Sequence, residues 1–191
     1  GARRQGRAHI LELAEELVRD GMQVVVIDWS TGGSGFAERL GLSPAAGIVD
    51  LMRGDASFED VIQNLPGSQA HAIAAGSSLD PDGPDDQIDA ERLNLLLDAL
   101  DEAYDHIVVV GVYEEARLLF EAIQGRFDAG ITVGEAKHKT KALSDPPGTF
   151  LGFEVTDIEL VRLSRSETKA QPAQRFLRRG GSAHQFGAAQ A

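Results

Sequence analysis

Apolar residues recur along this chain with two spacings that alternate from segment to segment. Residues 7–20 carry apolar side chains three and four positions apart, which predicts an amphipathic helix that ends at Gly21. The run Val24–Ile27 is continuous and β-branched, a pattern typical of a strand buried on both faces of a parallel sheet. The chain is therefore predicted to begin with a helix that leads into a buried strand.

The same alternation continues to residue 155. It predicts further helices near residues 44–53, 57–64, 88–104, 114–124 and 135–143, and further strands near residues 70–75, 107–110, 130–133 and 150–155. Strands that alternate with helices favour the α/β class, with a mostly parallel sheet and helices on both faces. Because a helix comes before the first strand, we expect the first strand of this βαβ unit to be missing and to lie upstream of Gly1.

Composition narrows the classes of partner and compartment. The chain has 191 residues, of which 42% are hydrophobic, and this fits one domain with a sizeable core. The formal net charge of −12 repels nucleic acid, so no nucleic-acid partner is expected. Cysteine is absent, which agrees with a cytoplasmic location and leaves no thiolate for a metal site.

The folded domain is predicted to span residues 1–165. Residues 166–191 form a basic and then low-complexity tail, which is predicted to be disordered because its few apolar side chains cannot offset the entropy lost on ordering. Nucleic-acid contact through basic residues in and before this tail is an alternative that stays open; they are Arg162, Arg165, Lys169, Arg175, Arg178 and Arg179.

The first eight residues have the glycine spacing of a phosphate-binding loop, G-x-x-x-x-G-K-[S/T]. Gly1 and Gly6 supply the glycines, whereas Arg7 stands in place of the lysine and Ala8 in place of the hydroxyl residue. Backbone N–H groups beside the glycines could still surround an anion, but Ala8 offers no hydroxyl to Mg²⁺. The alternative is that these glycines only precede the start of a helix.

Asp28 directly follows the buried strand Val24–Ile27. A carboxylate at the carboxyl end of a parallel strand is well placed for a ligand or a metal ion, so Asp28 is the candidate metal ligand. Capping of the turn after the strand is the alternative role. Together with Gly1, Gly6, Arg7 and Ala8, Asp28 completes the predicted cofactor-binding set, for which ATP and Mg²⁺ are the expected cofactors if the site still functions.

Several segments in order are similar to one known family. Residues 1–8 lie where a Walker A motif would be, residues 24–30 look like a Walker A′ motif, and residues 41–62 are similar to its "GL…G…L.G..S.E..I" segment. The later segments 104–110, 128–133 and 152–155 follow the same order. The chain thus resembles the cytoplasmic P-loop domain of bacterial tyrosine kinases of the exopolysaccharide transport family, the Wzz-type polysaccharide co-polymerases. The resemblance covers roughly residues 1–165 and implies a P-loop NTPase-like fold related to MinD and ParA.

Four positions depart from the motifs of that family. Arg7 replaces the Walker A lysine and Ala8 its Ser or Thr, while Ser30 replaces the second Asp of Walker A′. Gly111 stands where the Walker B Asp would end the strand at residues 107–110. Because these groups act together in phosphoryl transfer, their joint loss predicts a catalytically inactive pseudokinase.

The resemblance also implies a biological setting. It implies a regulatory or interaction module in exopolysaccharide biosynthesis or transport, with membrane-embedded polysaccharide export and polymerisation proteins as partners and self-association into a homo-oligomer. It further implies a cytoplasmic location, with attachment to the inner membrane through an N-terminal part that is missing here. Two alternatives stay open, which are an active ATP-dependent protein-tyrosine autokinase with non-standard ligands and an ATPase related to ParA and MinD.

Overall fold

Helices and strands alternate along the computed structural model of the chain, which describes residues 2–32, 36–79, 88–123, 126–135 and 146–165. In chain order the elements are α1 (Ala2–Arg19), β1 (Val24–Asp28), α2 (Phe36–Leu40), α3 (Ile48–Arg53), α4 (Phe58–Val61), β2 (Ile62–Asn64), β3 (His71–Ile73), α5 (Ala90–Asp101), β4 (His106–Val110), α6 (Tyr113–Ala122), β5 (Ala129–Glu135), β6 (Thr149–Phe150), β7 (Phe153–Glu154) and β8 (Glu159–Arg165).

Four strands form the central sheet in the order β2-β3-β1-β4. β1 lies between β3 and β4 and is parallel to both, with Val25 opposite His71 and Val24 opposite His106. β2 pairs with β3 in the antiparallel direction at the edge. β5 and β8 form a separate parallel pair, and β6 and β7 form a hairpin. The predicted α/β class with a mostly parallel sheet is confirmed.

Helices cover both faces of the central sheet. Successive side chains of β1 point to opposite faces, so alternate residues of this strand pack against different helices. Val25 and Ile27 pack in a cluster with residues of α3, α5 and α6. Val24 and Val26 pack in a second cluster with residues of α1 and α2. All five residues of β1 are buried, which accounts for the continuous β-branched run in its sequence.

The predicted helix at residues 57–64 is wrong in its second half. α4 ends at Val61, and the next residues continue as the edge strand β2, in which Ile62 lies opposite Ile73. A segment as short as Ile62–Asn64 fits a strand as well as the end of a helix, and here the pairing with β3 decides between them.

The predicted last strand at residues 150–155 is instead the β6–β7 hairpin. Its turn lies at Leu151 and Gly152, whose φ angles of 53° and 86° are the positive values that tight hairpin turns require. The sequence pattern also missed β8, which includes Arg162 and Arg165 of the basic group. Within the predicted helix 135–143, Glu135 ends β5 and the remaining residues lie outside the described ones, as does the predicted tail 166–191.

No helix in the described part of the chain combines the length and the apolar character that crossing a lipid bilayer requires.

Candidate functional site

Residues 28–32 form a turn at the carboxyl end of β1 whose polar side chains are held away from water. Asp28 is 0% exposed, and Ser30 and Thr31 are nearly as well buried. The backbone N–H of Trp29 donates to Val110 O at 2.7 Å, and that of Leu79 donates to Thr31 O at 2.9 Å. The turn is therefore tied to β4 on one side and to the segment after β3 on the other.

Asp28 uses only one of its two carboxylate oxygens. Its Oδ1 accepts hydrogen bonds from the Ser30 N–H at 3.0 Å and from the Ser30 hydroxyl. Its Oδ2 is buried without a hydrogen-bond partner among the described residues. Burial raises the pKa of Asp28, although the bonds from Ser30, the nearby N–H of Ala37 and the charge of Arg39 act in the opposite direction.

Glu115 brings a second carboxylate to the same turn. It lies in the first turn of α6, and its Oε1 accepts a hydrogen bond from the Gly32 N–H at 2.9 Å. Its Oε2 is buried without a partner in the part of the chain that the structure describes. Burial raises the pKa of Glu115, the bond from Gly32 lowers it, and the negative charge of Asp28 raises it further.

Sequence reasoning missed Glu115, because its place at the site depends on which strands are neighbours in the sheet. β1 and β4 are parallel neighbours, so the helix that follows β4 begins at the end of the sheet where β1 also ends. An acidic residue in the first turn of that helix therefore comes near the end of β1. The pattern of strands alone did not predict that these two strands are adjacent.

Gly111 directly follows β4 and lies against the backbone of Trp29. A Cβ atom built at residue 111 would be 3.1 Å from Trp29 O and 3.5 Å from Trp29 Cβ, which is tighter than ordinary contact for the first of these atoms. Trp29 is itself held by its hydrogen bond to Val110 and by a side chain that is 1% exposed. Its indole Nε1 has no partner among the described residues. Residue 111 therefore lacks a carboxylate at a point where two backbone segments lie close together.

The predicted phosphate loop has a different backbone from the one expected. α1 begins at Ala2, so Gly6, Arg7 and Ala8 lie within a helix, and Gly1 lies outside the described residues. Ala, Arg and Gln at positions 2–5 have high helix propensity, which accounts for the early start. Inside a helix the N–H groups bond to carbonyls one turn earlier, so in this conformation those of residues 6–8 do not form an anion cradle. The nucleotide contacts of Gly1, Gly6, Arg7 and Ala8 stay a prediction.

The predicted groups for ATP and for Mg²⁺ therefore fit the structure unequally. The helical backbone of residues 6–8 does not match a phosphate cradle. The unused buried oxygen of Asp28 does match the needs of a cation, because a buried carboxylate oxygen is stable only with a partner.

Comparison with known proteins shows that the fold is similar to that of several solved structures. The kinase domain of the tyrosine kinase ETK from Escherichia coli is 15% identical, matches 92% of this chain with a TM-score of 0.55, and is itself covered over 64% of its length. The kinase domain of VpsO is 22% identical over 80% of this chain and 76% of its own length, with a TM-score of 0.55.

A third solved structure belongs to another class of enzyme. Cobyrinic acid a,c-diamide synthase from Mycobacterium smegmatis, with a bound ATP analogue and magnesium, is 15% identical over 93% of this chain and 73% of its own length, with a TM-score of 0.59. No protein-family model and no curated protein matches the chain. At these identities the likeness establishes the fold, and the resemblance to bacterial tyrosine kinase domains is confirmed at that level.

Proposed function

We propose that the chain is a catalytically inactive P-loop-type domain that acts as a regulatory or interaction module. The observation that carries this proposal is the end of β4, where Gly111 and not a carboxylate directly follows the strand. A Cβ built at residue 111 would lie 3.1 Å from the carbonyl oxygen of Trp29. Phosphoryl transfer relies on metal ions that neutralise the developing charge, and carboxylates at strand ends hold those ions.

Two further features support inactivity. Ala8 carries no hydroxyl for a metal ion, and Arg7 presents a planar guanidinium where a compact ammonium group would contact the phosphates. Removal of one group that contacts the phosphates or the metal ion commonly costs orders of magnitude in rate. The groups replaced at residues 7, 8 and 111 all act on the same transition state. The helical backbone of residues 6–8 adds to this, since the phosphate cradle would have to form at the expense of a helical turn.

Titration of the purified chain with ATP and Mg²⁺ in a calorimeter tests the proposal. We expect no heat of binding at concentrations at which the kinase domain of ETK, used as the fold-matched positive control, is saturated. The same samples are then incubated with ATP and Mg²⁺ and probed for phosphotyrosine at Tyr104 and Tyr113, the only two tyrosines of the chain. We expect none.

The rival functions give different outcomes in this experiment. Nucleotide binding together with phosphotyrosine would overturn inactivity in favour of an autokinase. Nucleotide binding with phosphate release but without phosphotyrosine would overturn it in favour of an ATPase related to MinD and ParA.

We further propose that the module works in exopolysaccharide biosynthesis or transport, at the cytoplasmic face of the inner membrane. The support is the order of the segments 41–62, 104–110 and 128–133 together with the fold that the chain shares with bacterial tyrosine kinase domains. The implied partners are membrane-embedded polysaccharide export and polymerisation proteins, and the implied assembly is a homo-oligomer. Affinity purification of the tagged full-length protein from solubilised membranes tests this. Recovery of the tagged protein without any polysaccharide polymerisation or export protein would contradict this role.

A further inference from the structure

The β6–β7 hairpin packs on α6 through aromatic side chains. Phe120 of α6 is buried, and its ring centroid lies 5.5 Å from those of Phe150 and Phe153, one on each strand of the hairpin. The Arg117 guanidinium lies over the Phe153 ring, 5.1 Å from its centroid. Aromatic pairs and cation–π contacts of this kind add to the stabilisation that buried area gives. The hairpin is thus held to the helix whose first turn carries Glu115.

β5 and the start of α6 also lie close to the hairpin. A Cβ atom built at Gly130 of β5 would lie 2.7–2.9 Å from three ring atoms of Phe150, so a larger residue there would displace this ring. A Cβ built at Gly152 would lie 3.5 Å from the Tyr113 hydroxyl, so the turn of the hairpin reaches the first residue of α6. The hairpin therefore extends along α6 from Tyr113 to Phe120 and contacts β5.

The turn of the hairpin holds a residue in an unfavourable backbone conformation. Leu151 is the one residue other than glycine, within the described part of the chain, whose φ is positive, at 53°. Asparagine or glycine adopts this conformation more readily than leucine does. The Leu151 side chain is nevertheless buried. Strained residues persist where the surrounding structure determines them, so burial of this side chain accounts for a leucine in the turn.

α6 itself has few side chains that hold it in the core. Only Leu119 and Phe120 of its 10 residues are buried. Leu119 packs in the cluster that contains Trp29, whereas the Phe120 ring contacts the hairpin. The start of the helix is held by the hydrogen bond from Gly32 to Glu115. A segment with few buried contacts opens more readily than the rest of a domain, so the hairpin contributes a large part of what keeps α6 in place.

We propose that the β6–β7 hairpin is a latch for α6. While it is docked, it holds the helix against the turn of residues 28–32. When it undocks, the helix opens and uncovers that turn while the rest of the central sheet stays folded. Undocking also allows Leu151 to leave its strained conformation, which lowers the free energy of the open state. This goes beyond the proposed function, because the movement requires neither a nucleotide nor a partner protein.

Native-state hydrogen exchange, followed by mass spectrometry on the whole chain, tests the latch because it measures how often each segment opens. Phe153→Ala removes the ring that contacts both Phe120 and Arg117. These contacts are lost when the latch opens. We therefore expect the amides of α6 to exchange about tenfold faster than in the wild type, as loss of an aromatic contact and its buried area implies.

Phe58→Ala is the matched control, because it removes the same ring from another partly buried position. Phe58 begins α4 and packs against the cluster that contains Trp29. Its contacts persist when only the hairpin and α6 open, so we expect this variant to lower the free energy of unfolding in urea but to leave the exchange of α6 unchanged. Equal acceleration by both variants would overturn the proposal, because α6 would then open only when the whole chain unfolds. Unchanged exchange of α6 in Phe153→Ala would overturn it as well.

Leu151→Asn tests the turn of the hairpin separately. Asparagine suits the turn better than leucine does, but it lacks the buried apolar side chain. We expect the amides of α6 to exchange at least about threefold faster in this variant. Unchanged or slower exchange would contradict the latch, because the preference of the turn and not docking would then govern the hairpin. If Phe153→Ala does not fold, Arg117→Gln keeps the ring and removes the cation above it, and we expect about threefold faster exchange of α6.

Discussion

Residue 111 is a position where the absence of a side chain bears on both packing and chemistry. Because a Cβ there would lie 3.1 Å from Trp29 O, we expect Gly111→Asp to lower the free energy of unfolding by about 1 kcal/mol or more, as overpacking does. We also expect it to leave the chain unable to transfer phosphate, since Arg7 and Ala8 are unchanged. Urea unfolding in EDTA measures the first effect, and a phosphotyrosine assay with ATP and Mg²⁺ measures the second.

Gly111→Ala is the control for this variant, because it adds the same Cβ without a charge. We expect alanine to cost part of what aspartate costs. Phosphotyrosine on Gly111→Asp would show that residue 111 alone determines inactivity, which contradicts the joint loss proposed above.

Gly76 is a second position where a missing side chain matters. Its comparison with Gly67 separates the cost of a steric clash from the cost of backbone strain. Its φ is +76°, and an added Cβ would lie 2.0 Å from Asp50 Oδ2. Gly67 has a similar φ of +86°, but nothing lies within 4 Å of its added Cβ. We expect Gly67→Ala to cost about 1–2 kcal/mol from the left-handed backbone alone. We expect Gly76→Ala to cost about 3 kcal/mol or more, measured by urea unfolding. Equal costs would mean that both Asp50 and the backbone of Gly47, whose N would lie 2.5 Å from the same Cβ, move aside freely.

At the scale of elements, Asp50 joins the start of α3 to the segment after β3. Its carboxylate accepts hydrogen bonds from the Gly47 N–H at 2.8 Å, the Ser77 N–H at 3.1 Å and the Ser77 hydroxyl at 2.5 Å. Burial by itself would raise the pKa of Asp50, but these bonds outweigh burial and lower the pKa below 3.8.

The direction of this shift sets the pH dependence of stability. Ionised Asp50 stabilises the folded chain fully above about pH 3.8, and the contribution is lost as the pH falls through the lower folded-state pKa. We expect Asp50→Asn to reduce the free energy of unfolding by about 1–3 kcal/mol at pH 7. The gap to the wild type should narrow below pH 3.8, as measured by urea unfolding at several pH values. The control Asp55→Asn changes an exposed neighbour beyond α3 and should have little effect; a gap that persists unchanged at low pH would contradict the role of the Asp50 charge.

The elements that the sequence predicts well are those whose pattern is decided locally. β1 and β4 are continuous apolar runs, and α5 has a long apolar face, so their types could be predicted from Val24–Ile27, 107–110 and 88–104. β2 and β8 could not, because β2 depends on pairing with β3 and β8 depends on pairing with β5. A contact with a distant strand leaves little trace in local periodicity.

The residues of the candidate site also differ in whether the sequence alone predicts them. Asp28 could be predicted, because a carboxylate directly after a buried strand is visible in the sequence. Glu115 could not, since its relevance depends on β4 lying beside β1 and on a hydrogen bond to Gly32 across the sheet edge. The predicted loop at residues 1–8 rests on glycine spacing, which does not outweigh the helix propensity of residues 2–5.

At the scale of the whole molecule, we expect copies of the chain to associate through exposed strand edges. Within the described residues β5 pairs with β8 alone, and its Ile131 and Val133 are 37% and 51% exposed. Exposed apolar edge strands favour edge-to-edge association, and a charged side chain at the edge opposes it. We expect Val133→Lys to reduce concentration-dependent light scattering and to change the free energy of unfolding by no more than about 0.5 kcal/mol.

Val112→Lys serves as the control for that variant. Val112 is 44% exposed but precedes α6 rather than belonging to a strand, so it adds the same charge away from any edge. Equal suppression of scattering by both variants would mean that loss of exposed apolar surface in general, and not the β5 edge, governs association.

The central position of β1 also has a consequence for how the chain reaches its native state. Both neighbours of β1 come from distant parts of the chain, since Val25 pairs with His71 and Val24 pairs with His106. Neither pairing can form until a long intervening segment has closed into a loop, and contacts of this kind make folding slow compared with that of helical proteins of similar size. Until those loops close, Val24–Ile27 is an exposed apolar segment without strand partners, and such segments make a folding chain prone to aggregate.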